Sequence, residues 1–132
     1  MNLDWIQIYF GDKESTIAKD LKLNLSRLLT ESTLGEEDRL LALAALAQAN
    51  HDHVLKKSAV DALKTLGTSD EWIQEAIEST AMMAMLNTYY KFRGLTADAT
   101  PYSSAGLRMT ALAKPALGKL RFEMLAFAVS VH

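Results

Sequence analysis

The feature that most constrains the fold is the late position of the only two prolines, Pro101 and Pro115. Because proline removes a backbone N–H donor and clashes inside a helix, the chain before position 101 lacks the strongest helix breaker. Apolar residues in that part recur at helical spacing, for example between Ile17 and Leu29. The sequence therefore predicts an all-α protein.

Polar residues and glycines divide this pattern into successive helices. Ser15 or Thr16 can cap the first long helix, and Gly67 is a plausible C-cap further on. The segment from Leu3 to Phe10 fits one or two helical turns or a brief strand. The predicted helices cover residues 16–34, 36–49, 50–66, 70–93 and 107–112. Gly94 is the predicted stop signal after 70–93. The last predicted helix starts at 118 and is still running at His132. Residues 40–49 are apolar on nearly every side, which is typical of a buried central helix.

Composition limits the possible partners. A length of 132 residues fits one domain with a sizeable core. The net charge is −2, and no basic cluster exceeds the pair Lys56-Lys57, so nucleic acid is not an expected partner. No apolar run reaches the length of a membrane span, and the N-terminal residues do not resemble a signal peptide. We therefore expect no membrane association and a cytoplasmic location.

The sequence contains no cysteine. Within these residues, this excludes disulfides, thiolate metal sites and cysteine nucleophiles. The last predicted helix also remains apolar on several faces from Phe122 to Val131, without a capping glycine or asparagine. A C-terminal helix usually ends in polar residues. We favour a chain that continues beyond His132; the alternative is that another chain of an oligomer covers the apolar surface.

Two segments are weakly similar to each other. Residues 38–48 (DRLLALAALAQ) and 120–130 (LRFEMLAFAVS) each have an arginine followed by alternating bulky and small apolar residues. This pattern indicates two related buried helices. The identities are too few to decide between a duplicated helical unit and chance similarity.

Four segments carry a more specific pattern: AKDLKLNLS at 18–26, MAMLNTYYKFRG at 83–94, GLRM at 106–109 and KLRFEMLAFAVS at 119–130. In this order and spacing, they resemble the alkylhydroperoxidase D (AhpD) family of the AhpD-like and carboxymuconolactone decarboxylase superfamily. The resemblance covers about residues 16–132. It implies an AhpD-like helical domain with a non-catalytic repeat at 1–95 and a connecting segment at 96–117. Residues 118–132 are then the start of a catalytic repeat that is incomplete in this chain.

The resemblance also implies a function. Members of the family form a homotrimer that reduces organic hydroperoxides beside a peroxiredoxin, and a lipoyl-bearing dehydrogenase subunit recharges them. Neither a cofactor nor a metal ion is implied. The competing hypothesis is a cysteine-free structural or assembly protein of the same fold, without catalysis.

The family's active site combines a glutamate, a Cys-x-x-C pair and a histidine. The glutamate corresponds to Glu123, whereas the pair and the histidine would lie beyond His132, which precedes the motif. A thiolate that attacks a peroxide needs a group to take its proton, and burial would move the pKa of a carboxyl toward neutrality. We therefore expect Glu123 to be buried and to act as a proton relay. The alternative is a structural ion pair with Arg121, Lys119 or Arg108.

Other candidate residues favour structural roles. The first repeat has no counterpart of the active site, because the glutamate position falls near Leu40 or Leu41. Its cysteine and histidine positions fall near Asp52, Leu55 and Ala59. Helix capping by Asp52 is favoured over a metal site in the cluster His51-Asp52-His53. Core or subunit packing is favoured over a ligand pocket for the group Met82, Met83, Met85, Tyr89, Tyr90 and Phe92.

Overall fold

The computed structural model describes residues 4–12, 15–31 and 33–131, apart from the side chain of Trp5. Within these residues there are seven α-helices, one 3-10 turn and no strand, which confirms the all-α prediction. The elements are α1 (Asp4–Phe10), α2 (Thr16–Thr30), α3 (Glu36–Ala49), α4 (His53–Leu66), α5 (Asp70–Leu95), a 3-10 turn (Thr100–Tyr102), α6 (Thr110–Ala113) and α7 (Lys119–Ser130).

Local signals explain several of these boundaries. The Ser15 hydroxyl accepts a hydrogen bond from the N–H of Ala18 at 3.1 Å and caps α2. Gly67 ends α4 in the left-handed conformation, with φ of 83°. Both predicted caps are confirmed.

Several boundary predictions are wrong. Helix α2 ends at Thr30 rather than at 34, and helix α4 begins at His53 rather than at 50. Helix α5 runs through Gly94 and ends at Leu95, because the extended backbone of Thr96 stops it and the Thr96 hydroxyl bonds the carbonyl of Arg93 at 2.8 Å. Helix α6 begins at Thr110 rather than at 107. Helix α7 ends at Ser130, and His132 lies outside the described residues.

Helix α3 lies at the centre of the core. Its inward positions are 0 to 1% exposed: Leu40, Leu41, Ala44, Ala45 and Ala47. It packs against α4, α5 and α7. The core continues through Ala59, Leu63, Ile73, Ala76, Leu117, Leu125 and Val129. The prediction of a buried central helix at 40–49 is confirmed.

The second half of α5 extends away from this core. Leu86 is its last buried residue, whereas Met85, Tyr90 and Phe92 are 42%, 56% and 49% exposed. Packing of these three side chains in the core is therefore wrong for this chain, and subunit packing stays a prediction. The loop after α5 folds back, since the Tyr89 hydroxyl donates to the carbonyl of Tyr102 at 2.6 Å. No helix in the described part of the chain is long and apolar enough to cross a membrane.

Candidate active-site face on helix α7

The start of α7 is held by the loop before it. The Glu75 carboxylate on α5 accepts hydrogen bonds from the N–H groups of Ala116 and Leu117, at 3.0 and 2.7 Å. Gly118 follows with φ of 78°, a left-handed value that favours glycine. This arrangement places the buried Leu117 against the core and directs the chain into α7.

Arg121 connects the first turn of α7 to two other helices. Its Nη2 lies 3.0 Å from Glu37 Oε2, and its Nε lies 2.7 Å from Asp38 Oδ1, both on α3. The guanidinium carbon also lies 4.5 Å from the ring centroid of Trp72 on α5, within cation–π range. The second oxygen of Glu37 accepts from the Thr68 hydroxyl at 2.8 Å. A cation from α7 is thus enclosed by two carboxylates and an aromatic ring.

The contacts of Arg121 bear on the alternative role of Glu123, a structural ion pair. Arg121 pairs with α3 and not with Glu123, and the Arg108 Nε donates to the Thr110 hydroxyl at 3.3 Å. Among the described residues, Glu123 makes no ion pair with Arg121, Arg108 or Lys119. A structural ion pair therefore does not explain the glutamate in this helix.

Glu123 lies on the open face of α7. The buried side of the helix consists of Phe122, Leu125, Ala126 and Val129, each at most 8% exposed. On the other side, Leu120, Phe127 and Val131 are 85%, 69% and 65% exposed, and Glu123 is exposed beside them. The expected burial of Glu123 is wrong for this chain. Only one side of α7 meets the core, although the sequence of the helix is apolar almost all round.

A comparison of α3 with α7 shows what this open face corresponds to. In the pairing of 38–48 with 120–130, both members are buried at Leu40 and Phe122, at Ala44 and Ala126, and at Ala47 and Val129. The two helices differ at the neighbouring positions. Leu41 and Ala45 are completely buried in α3, whereas their partners Glu123 and Phe127 are exposed. The face that is closed in α3 is open in α7, and the glutamate lies on it.

A cavity of about 370 Å³ lies where α3, α5 and α7 come together near the ends of α3 and α7. Polar side chains contribute to its lining: Gln48, His51, Thr80, Asn87 and Ser130. The Asn87 amide donates to the Ser130 hydroxyl at 3.3 Å, a contact between helices α5 and α7. Nothing in the sequence pattern marks this cavity, because its residues are far apart along the chain.

The region that would correspond to the family's cysteines in a first repeat makes capping and packing contacts. Asp52 Oδ1 accepts from the N–H of Leu55 at 2.9 Å and caps α4, as predicted, while its Oδ2 accepts from the Tyr9 hydroxyl at 2.6 Å. The Leu55 hydrogen bond, followed by the Tyr9 bond, lowers the pKa of Asp52. The same Asp52 bond is the main reason that the pKa of Tyr9 is raised. Ala59 is fully buried.

No cluster of three or more histidine, cysteine, aspartate or glutamate side chains suited to a metal ion occurs in the described residues. Within the sequence His51-Asp52-His53, Asp52 caps α4 and contacts Tyr9 of α1.

Comparison with known proteins identifies relatives of one kind. No protein-family model and no solved structure matches the chain. Curated relatives do match. The alkyl hydroperoxide reductase AhpD of Anaeromyxobacter dehalogenans is 38% identical over 115 residues, or 86% of this chain and 61% of the relative. The proteins of that name from Mycolicibacterium paratuberculosis and Rhodopseudomonas palustris are 38% and 36% identical, over 86% of this chain and over 63% and 62% of their own lengths.

Over most of its length, the chain is similar to alkyl hydroperoxide reductase AhpD proteins. The resemblance seen in four short segments is therefore confirmed across most of the sequence. This AhpD-like chain spans a little over three fifths of the length of the curated relatives it matches.

Proposed function

We propose that this AhpD-like chain acts as part of an antioxidant alkyl hydroperoxide reductase. The observation that supports this most strongly is the 36 to 38% identity with AhpD proteins over 86% of the chain. The proposed substrates are organic hydroperoxides, and the proposed location is the cytoplasm.

The proposed reaction uses a Cys-x-x-C pair beyond His132. One thiolate attacks the distal peroxide oxygen, the O–O bond breaks, and the alkoxide takes up a proton and leaves as the alcohol. The resulting sulfenic acid condenses with the second thiol, which releases water and forms a disulfide. Two electrons from a lipoyl dithiol then restore the pair.

We assign the proton relay to Glu123. A thiol with an ordinary pKa near 8.5 is mostly protonated at neutral pH, so a neighbouring carboxylate that accepts its proton accelerates the first step. Two features of α7 support the assignment. Glu123 has no ion-pair partner among the basic residues considered for it, and it lies on the face that is open in α7 and closed in α3.

The domain organisation is also part of the proposal. Residues 1–95 would form a non-catalytic repeat, 96–117 the connecting segment, and 118–132 the start of the catalytic repeat. The shared burial pattern of α3 and α7 supports two related units. A homotrimer is proposed from the resemblance, with a peroxiredoxin and a lipoyl-bearing dehydrogenase subunit as partners.

The test is to purify the protein encoded by the complete gene and to establish its mass before any assay. Its reactive thiols are then titrated, and consumption of an alkyl hydroperoxide is measured with dihydrolipoamide as reductant. Two thiols and turnover above a no-protein control would support the proposal. A protein of verified mass without cysteine and without turnover would contradict the proposal. The alternative, a structural or assembly protein of the same fold, would then be favoured.

A further inference from the structure

Helix α2 carries an exposed apolar seam that no other described part of the chain covers. Ile17, Leu21 and Leu28 are 72%, 52% and 68% exposed, although all three lie on one side of the helix. Together with Asn24 they follow the spacing four, three, four, which is the repeat of a helix that packs along another helix. These four residues are called the α2 seam.

The α2 seam is distinct from the side on which α2 meets its own chain. Ala18 and Leu29 are the buried residues of α2, and they lie toward one flank of the seam. Beside the C-terminal half of the seam, a surface groove of about 610 Å³ is lined by Asn24, Arg27, Leu28, Glu31 and Thr33. The helix therefore presents apolar side chains and an adjacent depression to the outside.

The charges beside the seam indicate what covers it. Asp20 and Arg27 lie seven residues apart on the flank opposite the buried residues, and both are exposed. Seven residues are two helical turns, so the acid lies beside one half of the seam and the base beside the other. In a second, antiparallel copy of α2 the order of the acid and the base is reversed. The acid of one copy then lies beside the base of the other, so this face of the helix is complementary to itself.

We propose that α2 packs antiparallel against α2 of a second copy of this chain, about a twofold axis. Ile17 then lies against Leu28 of the second copy, beside the groove, and Leu21 lies against Asn24 of the second copy. In this register, Asp20 comes next to Arg27 of the second copy, and the symmetry repeats that pair. An isologous contact of this kind uses one patch on both subunits.

Asn24 has a role in this arrangement. The two Asn24 side chains lie in adjacent layers on either side of the axis, where their amides can bond each other. A single polar residue in an apolar helix seam favours one register over the alternatives at some cost in affinity. The contact is separate from the trimer proposed above. Together with the threefold contacts it joins two trimers into a hexamer, and without them it gives a dimer, so either assembly has an even number of chains.

The first test compares two leucines of equal exposure on opposite sides of α2. Leu21 lies in the seam and Leu23 does not, yet each is 52% exposed. At micromolar concentrations, we expect light scattering to show that Leu21→Asp halves the mass of the assembly, while Leu23→Asp leaves it unchanged. Circular dichroism of each variant checks that the fold is retained. A wild-type chain that is monomeric, or a mass that both substitutions change equally, overturns the proposal.

The second test uses the charges alone. Asp20→Arg and Arg27→Asp each place two like-charged pairs across the axis, so each should weaken association by roughly tenfold. The double variant with both changes restores both pairs and should recover the wild-type affinity. If the double variant associates no better than the single variants, the antiparallel register is wrong. A wild-type assembly of three chains would overturn the α2 contact, whereas a dimer would count against the proposed trimer and not against the α2 contact.

Discussion

Glu123 is the only ionisable residue of α7 after Arg121, and it lies on the exposed side of that helix. If the protein encoded by the complete gene is the proposed peroxidase, we expect Glu123→Gln to reduce its turnover by roughly 10²–10⁴-fold, because glutamine keeps the shape but cannot accept a proton. Thermal stability should change little, since the side chain is exposed. The measurement is hydroperoxide turnover together with the unfolding temperature.

A matched control for this substitution is Glu71→Gln, which neutralises an exposed glutamate on α5. It should leave turnover unchanged. If Glu123→Gln unfolds at a lower temperature and yet retains normal turnover, the glutamate stabilises the fold and does not relay a proton.

The hydrogen bonds of Asp52 predict how the stability of the protein depends on pH. Its pKa is lowered from the ordinary value of 3.8, chiefly by the hydrogen bond from Leu55 and then by that from Tyr9. A carboxyl whose folded pKa lies below its unfolded pKa stabilises the protein above the unfolded value, and this contribution is lost as the pH falls through the folded value. An asparagine at this position would cap α4 about as well but would not titrate. We expect the stability of the wild type, relative to Asp52→Asn, to decline below about pH 4 in thermal unfolding. A difference that does not vary with pH would contradict this.

Arg121 joins the first turn of α7 to α3 and α5. The ion pairs to Glu37 and Asp38 and the contact with Trp72 are partly shielded, since the Arg121 side chain is 30% exposed. We expect Arg121→Gln to lower the free energy of unfolding by about 1–2 kcal/mol, from the lost cation–π contact and the carboxylates left without their partner. Urea unfolding measures this effect. Lys119→Gln, at the exposed start of α7, should lower the free energy of unfolding much less. Equal losses would show that the loss of a positive charge, and not the contacts of Arg121, is responsible.

The helices themselves can be predicted well from the sequence where the signal is local. Ser15, Asp52 and Gly67 act through backbone groups only a few residues away, so residue type and position suffice. Gly94 is wrong as a stop signal because glycine is permitted inside a helix, and the end of α5 depends on the backbone of Thr96. Helical spacing in α2 predicts the helix, but not that Ile17, Leu21 and Leu28 face outward.

For the whole molecule, the composition leads to a simple expectation. The 132-residue chain contains no cysteine, and methionine sulfur does not pass through a sulfenic acid. We expect no thiol-dependent peroxidase activity from this chain when its mass is verified and dihydrolipoamide is the reductant. Turnover above the background without protein would sink this expectation and would require a different nucleophile.

The candidate site shows the limit of sequence reasoning at the same scale. Glu123 is identified through its place in KLRFEMLAFAVS, but its expected burial rests on apolar neighbours along the chain. Burial depends on which side of α7 meets other helices, and that is decided by α3 and α5 far away in sequence. The cavity at Asn87 and Ser130 escapes sequence reasoning for the same reason.

The enclosure of α3 by α4, α5 and α7 has a consequence for exchange of its amide hydrogens with solvent. An amide in a central helix without an exposed residue becomes accessible only when most of the molecule opens, whereas frayed or projecting segments open locally. Deuterium should therefore enter α3 last, at a rate set by global unfolding, while α5 beyond Leu86 exchanges early. Denaturant at low concentration should accelerate exchange in α3 strongly and exchange in distal α5 very little. The helix with no open face would then report the stability of the whole protein.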